Sequence, residues 1–288
     1  MNTTIEAIND SFGQRTDSVR AGDGAVLHVQ SWGSGPPVIL VHAWGLNGSM
    51  WDYQVPALTA AGLRCIVPDR RGHGRSQTTA TGYALNDLAD DLAAVIDAFD
   101  LHDAVLVGHS AGAQVVLRAV TRHDYDRIAG VVLSAPITPY LLQTPDNPHG
   151  LAEADFEALR ASWLADFGTW VNDGADAYFG DATVSEPLRD ATVATLIATP
   201  LPVIVETHKT LTRSDLRPDL ASLSVPTTVI QGSLDASAPI EATGRPTAAL
   251  VAQATMIEIE GGGHGCYLGH AAAYNNALIT SVREAHRC

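Results

Sequence analysis

The pentapeptide Gly108-His109-Ser110-Ala111-Gly112 lies between an unbroken apolar run, Ala104-Val105-Leu106-Val107, and a helical pattern from Gln114 to Val120. No other feature of the 288-residue chain restricts its fold so tightly. Where a strand ends at Gly108 and reverses at once into a helix, side chains two residues either side of the serine would collide, and glycine has none to collide. The turn is expected to hold the serine hydroxyl exposed at the end of a sheet strand. A hydroxyl is a weak nucleophile at neutral pH, so this placement has a chemical use only with a base beside it.

That base and its orienting acid should follow in the order serine, acid, histidine, each on a loop after a later strand. The segment Pro226-Thr227-Thr228-Val229-Ile230-Gln231-Gly232 reads as a buried strand, and Asp235 falls just beyond it in Ser233-Leu234-Asp235-Ala236-Ser237-Ala238-Pro239. Thr255-Met256-Ile257-Glu258-Ile259 reads as another, with His264 next in the turn Gly261-Gly262-Gly263-His264-Gly265. In this scheme His264 takes the Ser110 proton during attack and returns it to the leaving group, while Asp235 fixes the histidine tautomer and stabilises the imidazolium. Taken singly, an Asp after a strand is ordinarily a turn or cap, and a loop histidine ordinarily lies at the surface. Their order behind the elbow favours the triad. A tetrahedral intermediate also needs donors for its oxyanion, and two backbone N–H groups are in position by sequence. One is that of Ala111; the other is that of Trp44, in the loop His42-Ala43-Trp44-Gly45 after Val38-Ile39-Leu40-Val41. The Trp44 indole can pack in a wall at the same time, because amide and ring are different groups.

With 46% hydrophobic residues, the chain can bury one large core and still carry an insertion. Its net charge is −15 and Lys209 is its one lysine, which argues against nucleic acid and anionic membrane surfaces as partners and disfavours strongly anionic substrates. The histidines show no ligand spacing, so no metal is expected. Three cysteines, Cys65, Cys266 and Cys288, make no disulfide framework and suggest a reducing compartment. Cys266 reads as a packing residue, since nothing near it in sequence would lower its pKa. Met1-Asn2-Thr3-Thr4-Ile5-Glu6 has no basic head and no apolar segment, and no stretch reaches the roughly 18 apolar residues of a membrane span. A cytoplasmic protein is expected, in which the sequons at Asn2 and Asn47 have no consequence. The oligomeric state stays open, a homo-oligomer included.

Strands and helices alternate along the chain. Ser18 to Ala21 and Ala25 to Trp32 flank Asp23-Gly24 as a hairpin. The strand ending at Val41 is followed by a helix around Trp51 to Ala60, then a strand from Leu63 to Val67. A helix from Asn86 to Phe99 sets Leu88, Leu92, Val95, Ile96 and Phe99 on one face, and Ile128 to Ser134 is a strand after the elbow helix. Unbroken apolar strands joined by helices indicate a parallel sheet buried on both faces. Over residues 137–217 the alternation stops, too long for a connection, so a helical cap is expected there, inserted between core segments 1–136 and 218–288 of a single domain. Asp146-Asn147-Pro148 marks a turn at its start. Trp163, Phe167, Trp170, Tyr178 and Phe179 have helical spacing. Such spacing ordinarily marks core, yet the underside of a cap would roof the Ser110 pocket, so Trp163, Phe167 and Trp170, together with His109, are expected at its wall.

The stretches His42-Ala43-Trp44-Gly45-Leu46, Trp51-Asp52-Tyr53-Gln54, Asp69-Arg70-Arg71-Gly72-His73-Gly74-Arg75-Ser76, the elbow, Asp146-Asn147-Pro148-His149-Gly150 and Gly263-His264-Gly265 resemble the α/β-hydrolase fold, specifically its cofactor-free haloperoxidase and aryl esterase branch. The resemblance runs over nearly the whole chain. It implies a mostly parallel eight-stranded sheet flanked by helices with an inserted helical cap, the serine, aspartate and histidine named above as triad, and the amides of Trp44 and Ala111 as oxyanion donors. The chain departs from the family in having Ala43 for its usual Gly, Gly45 where Pro is frequent, and Ala111 where Met is common. In the family that proline shapes a loop carbonyl which favours peracid formation, so Gly45 leaves ester hydrolysis ahead of peroxide chemistry, and Ala111 implies a roomier pocket.

The expected reaction is hydrolysis of a neutral or weakly polar small-molecule ester or lactone through an acyl-Ser110 intermediate. Cofactor-free haloperoxidase or perhydrolase activity is an alternative. Cofactor-independent oxygenases and C–C bond hydrolases keep a similar triad and remain alternatives, as does a non-enzymatic ligand receptor on the same fold. Epoxide hydrolases and haloalkane dehalogenases use a carboxylate where this chain has Ser110.

Overall fold

Each central strand buries alternate residues on opposite faces of one sheet. Ile39 and Val41 of the strand Pro37–Val41 face one apolar core while Val38 and Leu40 face a second. Leu106 of Ala104–His109 faces the first, and Val105 and Val107 the second. Period-two alternation with both faces apolar is what makes such strands read as continuous hydrophobic runs. The computed structural model describes residues 8–9, 15–123, 126–148 and 150–287. The N-terminal hexapeptide with its Asn2 sequon, His149 and Cys288 lie outside the described residues.

The strands are β1 (Ile8–Asn9), β2 (Arg15–Arg20), β3 (Val26–Trp32), β4 (Pro37–Val41), β5 (Arg64–Pro68), β6 (Ala104–His109), β7 (Ile128–Ser134), β8 (Thr227–Gly232) and β9 (Thr255–Ile259), in sheet order β1-β2-β3-β5-β4-β6-β7-β8-β9. Pairings from β5 through β9 are parallel, and those of β1, β2 and β3 antiparallel. The eight expected strands are thus joined by a two-residue ninth at the edge. Chain order reverses about β4, which lies between β5 and β6. The crevice beyond the ends of β4 and β6 is therefore the switch point at which open α/β sheets bind ligands.

Helix Leu85–Ala98 buries Leu88, Leu92, Val95 and Ile96 against the first face together with Val115 and Val116 of the elbow helix Ala111–His123. Phe99 sits just past the helix end, its ring under the Arg64 guanidinium. The single helix expected around Trp51 to Ala60 is two pieces, a 3-10 turn Gly48–Trp51 and a helix Val55–Ala60. Asn47 caps the first through a bond from the Ser49 N–H, and Pro56, which has no N–H to give, is tolerated only in a first turn, so a new helix starts there.

Between β7 and β8 the chain forms helices Glu153–Phe179, Glu186–Ala198, Leu201–Arg213 and Arg217–Ser222. The last packs back on the elbow helix through the Arg118–Asp219 pair. Asn147 makes the expected turn, its side-chain amide donating to the carbonyls of Tyr140 and Leu142. The long helix is kinked at Asp166, whose backbone is extended at φ −159, ψ 89. Its carboxylate accepts from the Thr169 N–H at 2.9 Å and the Thr169 hydroxyl at 2.6 Å, so Asp166 caps a fresh helix rather than continuing the old one. Among the described residues no single helix is long and apolar enough to cross a membrane.

Candidate active site

Ser110 follows β6 directly and holds φ +55, a left-handed value costly for any residue with a side chain. Its N–H donates to the Ser134 carbonyl at 2.8 Å, which fastens the turn to the neighbouring strand. A Cβ on Gly108 would collide with the Gly112 carbonyl, and one on Gly112 with the Val41 carbonyl. The two glycines are thus required by close approach and not by backbone angle. The second clash also shows that the elbow helix starts against the end of β4, where the Trp44 loop begins. One expectation needs correction: Ser110 keeps only 5% of its surface and is nearly enclosed. The inserted helices meet the loop beside this edge of the sheet, with Leu196 and Ile204 lying against Gly45.

His264 arrives from β9 by a glycine turn that threads between two other segments. A Cβ on Gly263 would strike the backbone of Gly180, one on Gly265 the Tyr178 ring, and one on Gly232 at the end of β8 the Gly262 carbonyl. The ring so delivered places Nδ1 2.8 Å from Asp235 Oδ2. Asp235 Oδ2 also accepts from Gln231 Nε2 at 3.1 Å, while Oδ1 accepts from the Ser237 and Ala238 N–H groups at 3.0 and 2.8 Å. The carboxylate is therefore at once a loop-capping group and the partner of His264. With Nδ1–H committed to it, Nε2 is the basic nitrogen of the neutral ring.

His109 is not a pocket wall. Its side chain has no exposed surface and points back into the protein, Nδ1 2.8 Å from Ser134 Oγ. Tyr274 Oη donates to that same hydroxyl at 2.8 Å, leaving the Ser134 proton for His109. The His109 ring packs 5.0 Å from the rings of both His264 and Tyr267, so it props the histidine loop from below. Burial, with His264 adding to it, holds its imidazole well below the ordinary histidine range.

Trp44 meets the cap. Its indole Nε1 donates to the Ile204 carbonyl at 3.0 Å, and its ring lies 4.9 Å from Trp163, 6.0 Å from Phe167 and 6.2 Å from Trp170. The three cap aromatics singled out in the sequence thus converge on the loop proposed for the oxyanion, joined by His208 at 5.7 Å. Trp163 is fully buried, and Trp170 remains 38% exposed. Tyr178 approaches from the other end of the same helix, its ring 5.6 Å from His264. Ala111 opens the elbow helix, fully buried. Cys266 and Cys65 are buried as well, and burial pushes both thiols up to about 12, which leaves them inert.

Residues that sequence reasoning passed over are Gln231, Ser134, Tyr274, Ile204 and His208. Each acts through a partner more than three residues away, and none carried a local signal.

The model of the Alpha/beta hydrolase family matches residues 38–277. A non-heme chloroperoxidase of Kitasatospora aureofaciens is 33% identical, over 91% of this chain and 98% of the relative. The crystal structure of bromoperoxidase from Bacillus anthracis superposes with a TM-score of 0.88 at 30% identity, covering 93% of this chain and 99% of the other. An esterase from Exiguobacterium antarcticum reaches the same TM-score of 0.88 at 26% identity, over 92% and 98% of the two chains.

Proposed function

Because the chain belongs to the alpha/beta hydrolase family, in its cofactor-free haloperoxidase and aryl esterase branch, we propose that it is a serine hydrolase opening carboxylic esters or lactones through an acyl-Ser110 intermediate. In the first half His264 Nε2 takes the Ser110 proton as Oγ bonds to the carbonyl carbon. The oxyanion is received by the N–H groups of Trp44 and Ala111, and His264 then protonates the departing alkoxide oxygen. In the second half water gives His264 a proton, its oxygen bonds to the acyl carbon, and the acid leaves as Ser110 Oγ recovers its proton.

The observation that carries this reading is the 2.8 Å contact of His264 Nδ1 with a carboxylate already anchored by two backbone amides, next to an elbow whose serine holds φ +55. The aromatic cluster of Trp44, Trp163 and Phe167 and the net charge of −15 favour an uncharged, apolar acyl or alcohol group.

The peroxidase names of its relatives favour a second reading, transfer of the acyl group to hydrogen peroxide in place of water. Two features weigh against it. Gly45 holds φ +71, which proline cannot adopt, and its carbonyl is already taken by the Thr199 hydroxyl at 2.7 Å. The test is labelling with a fluorophosphonate and mass-spectrometric mapping of the site, with short p-nitrophenyl esters and simple lactones as substrates, each with and without peroxide. Label on Ser110, turnover of the panel, and loss of both in Ser110→Ala are expected. Protein that takes no label and leaves the whole panel intact would refute the proposal.

A further inference from the structure

The loop Ala43-Trp44-Gly45 is fastened at its polar groups. The Ala43 N–H is directed at Met50 Sδ, 3.3 Å away; the Trp44 indole N–H holds the Ile204 carbonyl; the Gly45 carbonyl accepts from Thr199 Oγ1. The Ala43 carbonyl accepts two bonds, one from His42 Nδ1 and one from Arg70 Nη2, each 2.8 Å long. His42 offers that N–H because its other nitrogen, Nε2, accepts from the Arg70 backbone N–H at 2.8 Å, which fixes the tautomer. The Trp44 backbone N–H is left without a bond of this kind among the described residues.

Ala43 and Trp44 are joined by a trans peptide. In such a planar unit the carbonyl of one residue and the N–H of the next point in opposite directions. Two donors that hold the Ala43 oxygen on one side therefore turn the Trp44 N–H to the other, away from Arg70 and His42.

The guanidinium doing this is an unusual one. Arg70 is 6% exposed, and its Nε and Nη1 have no hydrogen-bond partner among the described residues. Its neighbour Arg71 is spent on the carboxylates of Asp23 and Asp91, whereas Arg70 is aimed at a peptide oxygen. A buried cation whose charge is not cancelled polarises the peptide it touches, and polarisation of the carbonyl makes the N–H of the same unit a stronger donor. We propose that Arg70, acting with His42, is a positioning residue for the oxyanion: it aims and strengthens the Trp44 N–H. The proposal rests on the serine hydrolase reading above.

The test compares wild type, Arg70→Met and Arg70→Lys in three readouts: kcat per active site counted by complete fluorophosphonate labelling, KM for a p-nitrophenyl ester, and the affinity of an aryl boronic acid, whose tetrahedral adduct carries an oxygen into the oxyanion position. Removing an oxyanion donor outright costs about a hundred- to a thousandfold in kcat. Misaiming one is expected to cost Arg70→Met about ten- to a hundredfold in kcat per labelled site, with a matching loss of boronate affinity and KM within about twofold of wild type. Arg70→Lys should regain part of both. A merely structural arginine would lower the number of labelled sites and leave kcat per site and boronate affinity alone, and that result overturns the proposal. A kcat loss without a boronate loss overturns it too. If Arg70→Met does not fold, His42→Asn and Arg70→Lys carry the test, and wild-type values of both readouts in the two of them refute it. Failure of the hydrolase reading is told apart at the outset, since wild type would then take no label and both proposals would fall.

Discussion

Replacing Asp235 by Asn changes one oxygen to an NH2 and nothing in shape. Four donors converge on the native carboxylate: the Ser237 and Ala238 N–H groups on Oδ1, and His264 Nδ1 and Gln231 Nε2 on Oδ2. Backbone amides cannot turn away, so the new amide must keep its oxygen toward them and put its NH2 where Oδ2 was. There it faces His264, and the ring can answer by moving its proton from Nδ1 to Nε2. The ring nitrogen needed as the base then carries a hydrogen and cannot take one from Ser110. Loss of the correct tautomer in a Ser-His-Asp triad costs about ten-thousandfold in kcat, or about 5.4 kcal/mol at 1.36 kcal/mol per decade. Gln231 Nε2 loses an acceptor but retains the Ala238 carbonyl at 2.5 Å, so stability should drop by only about 1 kcal/mol. The assay is steady-state hydrolysis of p-nitrophenyl acetate beside a thermal melt. A folded Asp235→Asn protein that keeps more than a tenth of wild-type kcat would refute the tautomer argument.

Ser134→Ala should leave His109 Nδ1 and Tyr274 Oη buried without a partner, at about 1–3 kcal/mol each, and lower Tm by about 3–10 °C; a melt within 2 °C of wild type would show that the pair finds water instead. Gly45→Pro restores the residue frequent in the family but asks for φ near −65° where the loop holds +71, so it should disrupt the loop and slow fluorophosphonate labelling; peracid formation that rises with labelling intact would contradict this. Acid should destabilise the fold through buried rings. Burial, as the leading cause, lowers His73 to about 3 and His208 to about 4, against about 6.5 in the unfolded chain. Above pH about 6.5 both states hold these rings neutral and nothing is lost; below it the unfolded chain binds protons the native one refuses, and stability falls by up to about 1.4 kcal/mol per pH unit for each ring until the folded values are reached. The urea midpoint should therefore drop between pH 7 and pH 5, and a flat profile would mean that these rings are open to water.

What could be read from the sequence is what a few consecutive residues enforce by themselves. Gly108 and Gly112 announced the elbow because the collision they avoid lies within the turn and the strand beside it. The central strands β4, β6 and β7 were legible because the sheet is buried on both faces there, so each wrote itself as an apolar run. His109 shows the limit. It sits inside the most informative motif of the chain, yet the direction of its ring is set by Ser134 and Tyr274, 25 and 165 residues further on.

Asp235 carries the same point further. An aspartate after a strand invites two readings, a turn-capping residue or a catalytic partner, and sequence reasoning must choose between them. In the structure the two oxygens are divided: Oδ1 takes the loop amides, and Oδ2 takes His264, as the proposed triad needs. The capping role is what makes the other possible. A carboxylate free to rotate would lose side-chain entropy each time it met the imidazole, whereas one held by two backbone N–H groups meets it already oriented. The Gly261-Gly262-Gly263 turn works the same way on the other side, since only a chain without side chains passes between Gly232 and Gly180 to bring His264 within 2.8 Å of that oxygen. The local rules that look like bare structure are therefore the means by which segments far apart in sequence meet at fixed distance, and a substitution that respects the chemistry of Asp235 or His264 but disturbs its loop should cost as much as one that removes the group.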